Sequence, residues 1–444
     1  MKVGFINLGC AKNRVDTEVM MGLVKKAGHQ LVDKVEQAEA VIINTCGFIS
    51  EAQEEAIDTI LETGRLKEKG QLRYLIAVGC LSQRYGAQLY EEIPELDGIW
   101  GLLNPSEWQA NLDAVFNGTR VFSINQPPGR FIEQGQRIVS TPAGWAYLKA
   151  VEGCDNHCRY CSIPSIKGPL RSRPLEDLLK EAEQMVNRGI KELTVIGQDT
   201  TLYGKDLYGQ SRLAELIGRL DGIEGLEWLR LMYLHPAHIT GEMIEALSRG
   251  KKLVPYLEIP VQHASSRILS AMGRRHDKEH LIKLFSDIRA ALPGVVLRTT
   301  VMLGFPGETE EDFQELLEFM EAIRFDWLGA FTFQAQEGTP AYAMPEQIND
   351  EIKARRKDIV MSVQKHITRQ KNIERLNTRQ RVLVSSTASK SLYLGRTAFQ
   401  GPEVDGMTIV KSETSLKKGC FYEVLLKAVR DFDMIGEVVN ESAQ

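Results

Sequence analysis

Three cysteines crowd one short loop of the chain. In VEGCDNHCRYCSIPSIKG, Val151 to Gly168, they stand as Cys154, Cys158 and Cys161, spaced C-x3-C-x2-C. Thiolates so placed bind zinc or an iron–sulfur cluster. A structural zinc ion wants a closed set of four ligands, and His157 is too near in the chain to be a comfortable fourth. In a 4Fe-4S cube, three local cysteines hold three irons and leave the fourth open. An open iron can bind a small chelating molecule and pass it an electron. The compact spacing suits a loop that must wrap three corners of one cube. Zinc remains the alternative reading of these residues.

Three further cysteines are far apart in sequence. Cys10 lies in INLGCAKN, Cys46 in IINTCGF and Cys80 in AVGCLSQ, with separations of 36 and 34 residues. Each closes an apolar segment that reads as a strand, and each adjoins a glycine. In a parallel sheet such positions share one edge, where the crossovers open a crevice. The three thiols are therefore expected to converge and to hold a second cluster; the alternative is three unrelated core cysteines. Glycine beside them lets backbone come close. The seventh, Cys420, reads as core packing in a strand.

The elements that must position these thiols follow from periodicity. Residues 1–125 alternate apolar strands (KVGFIN, AVIIN, LRYLIAV) with amphipathic stretches, the pattern of a parallel α/β sheet covered on both faces. The start MKVGFINLGCAKNR reads as a first strand, not a signal peptide. Pro, Gly and polar residues break the pattern at 126–139, a linker. Residues 140–349 repeat strand and helix (WAYLKAVEG, KELTVIGQ, WLRLMYL, YLEIPVQ, VVLRTTVML, WLGAFTFQ). That predicts a partial or full βα barrel, with an open doubly wound sheet as the alternative. The cysteine loop follows the first of these strands, at the carboxyl edge where barrel active sites sit. Residues 350–375 read as a linking helix. Residues 376–444 are short strands between Gly, Ser and Lys turns, a small β-barrel of the oligonucleotide-binding class.

The chain has 444 residues, 43% hydrophobic and 25% charged, with net charge −5. This is a composition for two or three globular domains and gives no global reason to bind a polyanion. No apolar run approaches the roughly 20 residues of a membrane span. Seven cysteines without an export signal suggest a reducing cytoplasm and metal or catalytic use, not disulfides. The last 69 residues carry nine Lys/Arg against eight Asp/Glu, so the small barrel is near neutral where an RNA clamp would be basic. Lys353 to Arg381 carries ten Lys/Arg against Asp358 and Glu374. That run is either a face for ribosomal RNA or a solvated linker.

The cysteine loop, with Tyr160 before its last cysteine, resembles the radical S-adenosylmethionine (SAM) superfamily. Two cysteine triplets and a small C-terminal barrel are similar to its methylthiotransferase branch, along nearly the whole chain. That resemblance implies two 4Fe-4S clusters, on Cys154, Cys158 and Cys161 and on Cys10, Cys46 and Cys80. It implies SAM as source of both a hydrogen-abstracting radical and a methyl group, and a TRAM domain at the C-terminus. IGQDTTLYG (Ile196 to Gly204), IPSIKGPLRSRP, EGTPAY, GRTAFQGPEVDG and DFDMIGEVV resemble the members that modify an aspartate of a small-subunit ribosomal protein at the decoding centre. Transfer-RNA adenosine members usually carry QNVNSYG in place of QDTTLYG, and they supply the alternative substrate. Gly401 departs from the pattern, where Ala is usual before PEVDG. The resemblance also implies a flavodoxin- or ferredoxin-type electron donor; nothing in the sequence suggests more than a monomer. Groups at or near strand ends are expected around SAM: Gln198 and Asp199, Gln262 and His263, Arg298, and Gly304 in VMLGFPGE, together with Tyr160. His235, before Pro236, reads as structural.

Overall fold

The computed structural model describes residues 1–128 and 137–439, so residues 129–136 of the expected linker lie outside the described residues. The first sheet has strands β1 (Lys2–Asn7), β2 (Gln30–Val32), β3 (Ala40–Thr45), β4 (Tyr74–Gly79), β5 (Gly98–Trp100) and β6 (Val121–Ser123). Its order is β2-β1-β3-β4-β5-β6, parallel throughout. β3 and β4 are buried on both faces, which is why they read as continuous apolar runs. The period of two survives inside them. Val41, Ile43, Leu75 and Ala77 pack toward α2 (Ser50–Glu68) and α3 (Cys80–Glu92). Ala40, Ile42, Tyr74 and Ile76 pack toward α1 (Ala11–Lys26) and α4 (Pro105–Phe116). The strand order reverses at β1, so the loops after β1 and β3 flank a switch-point crevice.

The second sheet contains β7 (Trp145–Lys149), β10 (Glu192–Ile196), β11 (Trp228–Leu231), β12 (Leu253–Glu258), β13 (Val296–Leu303) and β14 (Trp327–Thr332). Between β7 and β10 a two-residue ladder joins β8 (Val151–Glu152) to β9 (Arg171–Ser172). The six strands of the second sheet run parallel in sequential order, from β7 through to β14. Sequential order with right-handed crossovers puts every helix on one face and curls the sheet. The result is a partial barrel, not a doubly wound sheet. Leu148, Leu193, Leu229, Leu257 and Leu297 face the helices.

The opposite face of this sheet carries Trp145, Tyr147, Trp228, Tyr256 and Trp327, which belong to one core with Val382, Leu383, Phe421 and Tyr422. Those last residues come from a closed five-stranded barrel, β15 (Arg379–Ser389), β16 (Leu392–Arg396), β17 (Thr408–Lys411), β18 (Cys420–Arg430) and β19 (Asp433–Val438). The small barrel thus fills the amino-end half of the partial barrel's inner face. Its loop GPEVDG enters this face: Tyr256 Oη donates to Asp405 at 2.6 Å, and Tyr147 Oη to Glu403 at 2.9 Å. A Cβ on Gly401 would lie 2.4 Å from Tyr256 Oη, so the glycine admits the loop against this ring.

The helix Asp350–Glu374 links the two bodies. Of the ten basic residues from 353 to 381, seven sit in ion pairs with carboxylates of the chain, among them Arg356 with Glu308, and Lys371 and Arg375 with Asp326. The basic run is largely neutralised from within.

A buried cluster seats the barrel. Glu192 accepts from Arg230 Nε at 2.9 Å and from Arg396 Nη2 at 2.7 Å, and both Glu192 and Arg230 are 0% exposed. Burial alone would raise the Glu192 carboxyl, but the Arg396 and Arg230 guanidiniums hold it below the usual carboxylate range. Glu192→Ala leaves two buried guanidiniums unpaired and should cost about 3–5 kcal/mol. Denaturant unfolding measures this. Because the native carboxyl is depressed, the Glu192 contribution is present above its unfolded pKa and is lost as pH falls through the folded one. The gap between wild type and variant should therefore narrow in acid.

Candidate metal and cofactor site

The loop bearing Cys154, Cys158 and Cys161 runs from β8 to α5 (Ile163–Lys167), at the carboxyl edge of the partial barrel. Its shape is set by polar contacts. Cys154 N donates to Gly168 O at 3.1 Å and Arg159 N to Met272 O at 2.9 Å. Asn156 offers its backbone N and its Nδ2 to Cys154 Sγ at 3.4 and 3.5 Å. Asp199 in turn accepts from Asn156 Nδ2 at 2.7 Å, so this strand-end acid positions a donor on the cysteine loop. Arg274, 9% exposed, reaches Cys158 Sγ at 3.7 Å and donates to Pro260 O at 2.6 Å. Tyr160 is buried with Ile268, Met272, Phe305 and Phe333 and anchors the loop by packing.

The second triplet assembles from three loops. Cys10 is the N-cap of α1 and Cys80 is the first residue of α3, so both stand at helix starts. Both sulfurs lie near one atom, Asn13 Oδ1, at 4.0 and 3.8 Å. Gly9, at φ +89°, brings the first loop onto the second: a Cβ there would stand 3.1 Å from Cys46 Sγ. Gly47 lies equally tight on the start of α3, where a Cβ would meet Leu81 N at 2.8 Å. These glycines close the loops on each other.

The donor sets fit iron–sulfur clusters. A single tetrahedral zinc with bonds of about 2.3 Å needs its sulfurs about 3.8 Å apart. Neither triplet gathers its three sulfurs within 4.8 Å of one another; among the described residues only Asp199, His235 and His238 lie that close. Both triplets are looser than one tetrahedral zinc needs. Burial pushes the Cys154 thiol up to about 11 and Cys161 and Cys80 up to about 12, and it also raises Cys46. Without a cation these groups stay thiols; a bound metal supplies the charge that deprotonates them.

Buried ion pairs join the segments that carry the two triplets. Lys149 at the end of β7 pairs with Asp16 of α1 and, at 2.6 Å, with Glu152. Lys167, just past the cysteine loop, lies 3.3 Å from Asp16 and 3.2 Å from Glu152, and its charge reaches Cys80 and Cys10. On the far side Arg84 of α3 donates to Gln336 Oε1 at 2.8 Å and to Glu337 O at 2.7 Å, beyond β14.

Other strand-end groups expected around SAM are placed as follows. Gln198 donates to Glu152 at 2.9 Å and leaves its Oε1 buried without a partner. Gln262 adopts φ +71° and bridges to Val301. His263 is fully buried and accepts from Ser265 N at 3.0 Å; burial lowers it to about 3, so it is neutral. Gly304 N donates at 2.7 Å to Glu308, which organises the GFPGE turn. Arg298 faces Asp405 of the small barrel at 3.4 Å, a carboxylate from within the chain. His235 stacks on His238 at 4.6 Å, and His238 meets the same Asp199. Arg274, Lys167 and Lys12 escaped the sequence reading, since each acts through partners distant in the chain; Asn156, beside Cys154, was passed over within the loop itself.

The sequential parallel sheet and its cysteine loop define a radical SAM protein, and family models agree. "Radical SAM superfamily" matches residues 148–320, "Uncharacterized protein family UPF0004" residues 2–101 and "TRAM domain" residues 378–439. Full-length relatives narrow this further. "Ribosomal protein uS12 methylthiotransferase RimO" of Syntrophomonas wolfei is 54% identical over 437 residues, 98% of this chain and 100% of that protein. The proteins of the same name from Pelotomaculum thermopropionicum and Clostridioides difficile are 44% and 41% identical, each over at least 99% of both chains. The chain belongs to this uS12 methylthiotransferase family. Among solved structures, the radical SAM methyltransferase TsrM from Kitasatospora setae shares the fold, with TM-score 0.58 and 16% identity over 77% of this chain and 73% of that one.

The buried thiols make a prediction for metal-free protein. Cys10, the exposed one, should alkylate first, and Cys80 and Cys161 last. Modification of Cys154 should rise about tenfold per pH unit between neutrality and pH 10, because only its thiolate reacts. Mass spectrometry after timed alkylation reads this order; a uniform rate at all six would contradict it.

Proposed function

We propose that this chain attaches a methylthio group to the β-carbon of an aspartate in the small-subunit ribosomal protein uS12, with SAM as source of both the radical and the methyl group. The observation that supports the reading is two sets of three free cysteines, one on a single loop and one gathered from three loops of the first sheet. Cys154, Cys158 and Cys161 would hold the cluster that binds SAM, and Cys10, Cys46 and Cys80 a second one beside which sulfur is added. When bound, the first cluster supplies one-electron reduction of SAM and so a radical able to take hydrogen from carbon.

The chain's own residues bind, orient and keep dry. Asn156 and Arg274 direct N–H groups at the sulfurs of Cys154 and Cys158, which lowers their charge density. Gln198, with a buried oxygen that has no partner, offers a polar group at the strand end where SAM would lie. We place the protein in the cytoplasm, as a monomer reduced by a flavodoxin- or ferredoxin-type donor. Seven free thiols support a reducing compartment, and no helix among the described residues could cross a membrane.

Two measurements test this. In a deletion strain, ribosomal uS12 should lose the mass of one methylthio group while transfer-RNA methylthioadenosine is unaffected; the reverse pattern would sink the assignment. In purified protein, Cys158→Ala should abolish SAM cleavage to deoxyadenosine, whereas Cys46→Ala should retain cleavage and lose sulfur insertion. Equal loss of both activities in both variants would dissolve the division of labour.

A further inference from the structure

Four lysines of the described chain are buried, and three have carboxylate partners: Lys149 and Lys167 pair with Asp16 and Glu152, and Lys353 with Asp350. The fourth is Lys12. It is 7% exposed, and no described carboxylate or hydrogen-bond acceptor contacts its ammonium. Its recorded contact is the ring of Tyr233, whose centroid lies 3.0 Å from Nζ. A cation set this deep without a contacting anion is poorly solvated, and a ring face offsets only part of that.

The support for that ammonium is itself strained. Tyr233 follows the carboxyl end of β11 at φ +63°, a conformation rare for a bulky side chain. The strain is held in place, because Tyr233 N donates to Glu258 Oε2 at 3.0 Å. Two acids lie within reach of the Lys12 charge without contacting it: Glu152, tied to two lysines, and Glu258, which accepts that N–H. Lys12 stands two residues after Cys10, while Tyr233 belongs to the partial barrel. The cation therefore sits where the two thiol edges meet, with a ring at contact distance and no carboxylate there.

We infer that Lys12 is the receptor for the substrate's carboxylate: its ammonium, braced on Tyr233, pairs with the side-chain carboxylate of the target aspartate and so presents the adjacent CH2 to the space between the triplets. The inference rests on the aspartate reading above. It makes Lys12 a specificity-determining residue, since an adenine ring offers no carboxylate.

The test uses holoenzyme loaded with clusters and SAM under anaerobic conditions, and measures the affinity of purified uS12. Lys12→Met should weaken uS12 binding about tenfold or more, the size of a lost charge-assisted contact. Iron content and cluster absorbance should match wild type, and Lys12→Arg should recover part of the affinity. Changing the target aspartate of uS12 to asparagine should weaken binding to wild type by the same factor, and add nothing to the Lys12→Met loss. This substrate arm stands even if the enzyme variant fails to fold. Additive losses, equal binding of the two substrates, or weakened SAM with unchanged uS12 would each overturn the role of Lys12. Failure of the wild type to modify uS12 at all would overturn the functional reading instead.

Discussion

Two positive and two negative charges, sealed between the first sheet and the second, set the geometry on which everything else rests. Lys149, Lys167, Asp16 and Glu152 are each at most 8% exposed. Each lysine touches both acids, so the set is neutral only when α1 lies against the cysteine loop. Sliding one body past the other would strand a charge in a medium of low dielectric, at a cost of several kcal/mol. Hydrophobic contact alone tolerates such sliding; a four-charge lock does not. Because Asp16 lies six residues after Cys10, and Lys167 six after Cys161, the lock that joins the bodies also fixes the two thiol triplets relative to each other.

The other end of the partial barrel meets the opposite problem. Six strands cannot close, and their inner face would expose Trp145, Trp228 and Trp327 to water. The small barrel covers them and adds Glu192, Arg230 and Arg396 as a second buried charge set. Asp405 shows how far it reaches: burial pushes this carboxyl up to about 6 although Arg298 faces it. The amino-end half is thereby sealed, which leaves the carboxyl edges as the place for chemistry.

Legibility in the sequence followed the range of the interaction. The loop of Cys154, Cys158 and Cys161 is local, so spacing sufficed. Cys10, Cys46 and Cys80 were readable because strand ends of a parallel sheet share an edge whatever the strand order. Strand order itself leaves no periodic trace, so partial barrel and doubly wound sheet stayed open until the sequential pairing from β7 through to β14 was seen. Arg298 illustrates the limit. Its place on a strand gave a direction, but its partner Asp405 lies over a hundred residues away. Gly401 showed only a departure from the usual Ala, and in the fold it lies against Tyr256. Arg274 and Lys12 gave no signal, because one arginine beside Cys158 and one lysine without an anion are properties of the folded chain alone.

The distribution of cations bears on the kind of substrate these edges can take. A polyanion is gripped by many exposed basic groups acting together, and affinity grows with each phosphate neutralised. Here the one dense basic run is tied to carboxylates of the same chain, and the small barrel is close to neutral. The cations near the thiols are few and buried: Arg274 by Cys158, Lys149 and Lys167 locked with Asp16 and Glu152, and Lys12 on Tyr233. A buried point charge recognises another point charge in one orientation and gives little to a chain of phosphates. An aspartate side chain brings one carboxylate on one methylene, so pairing its charge also aims its carbon. For hydrogen abstraction from an unactivated C–H bond, that coupling of recognition to aim is the geometric requirement.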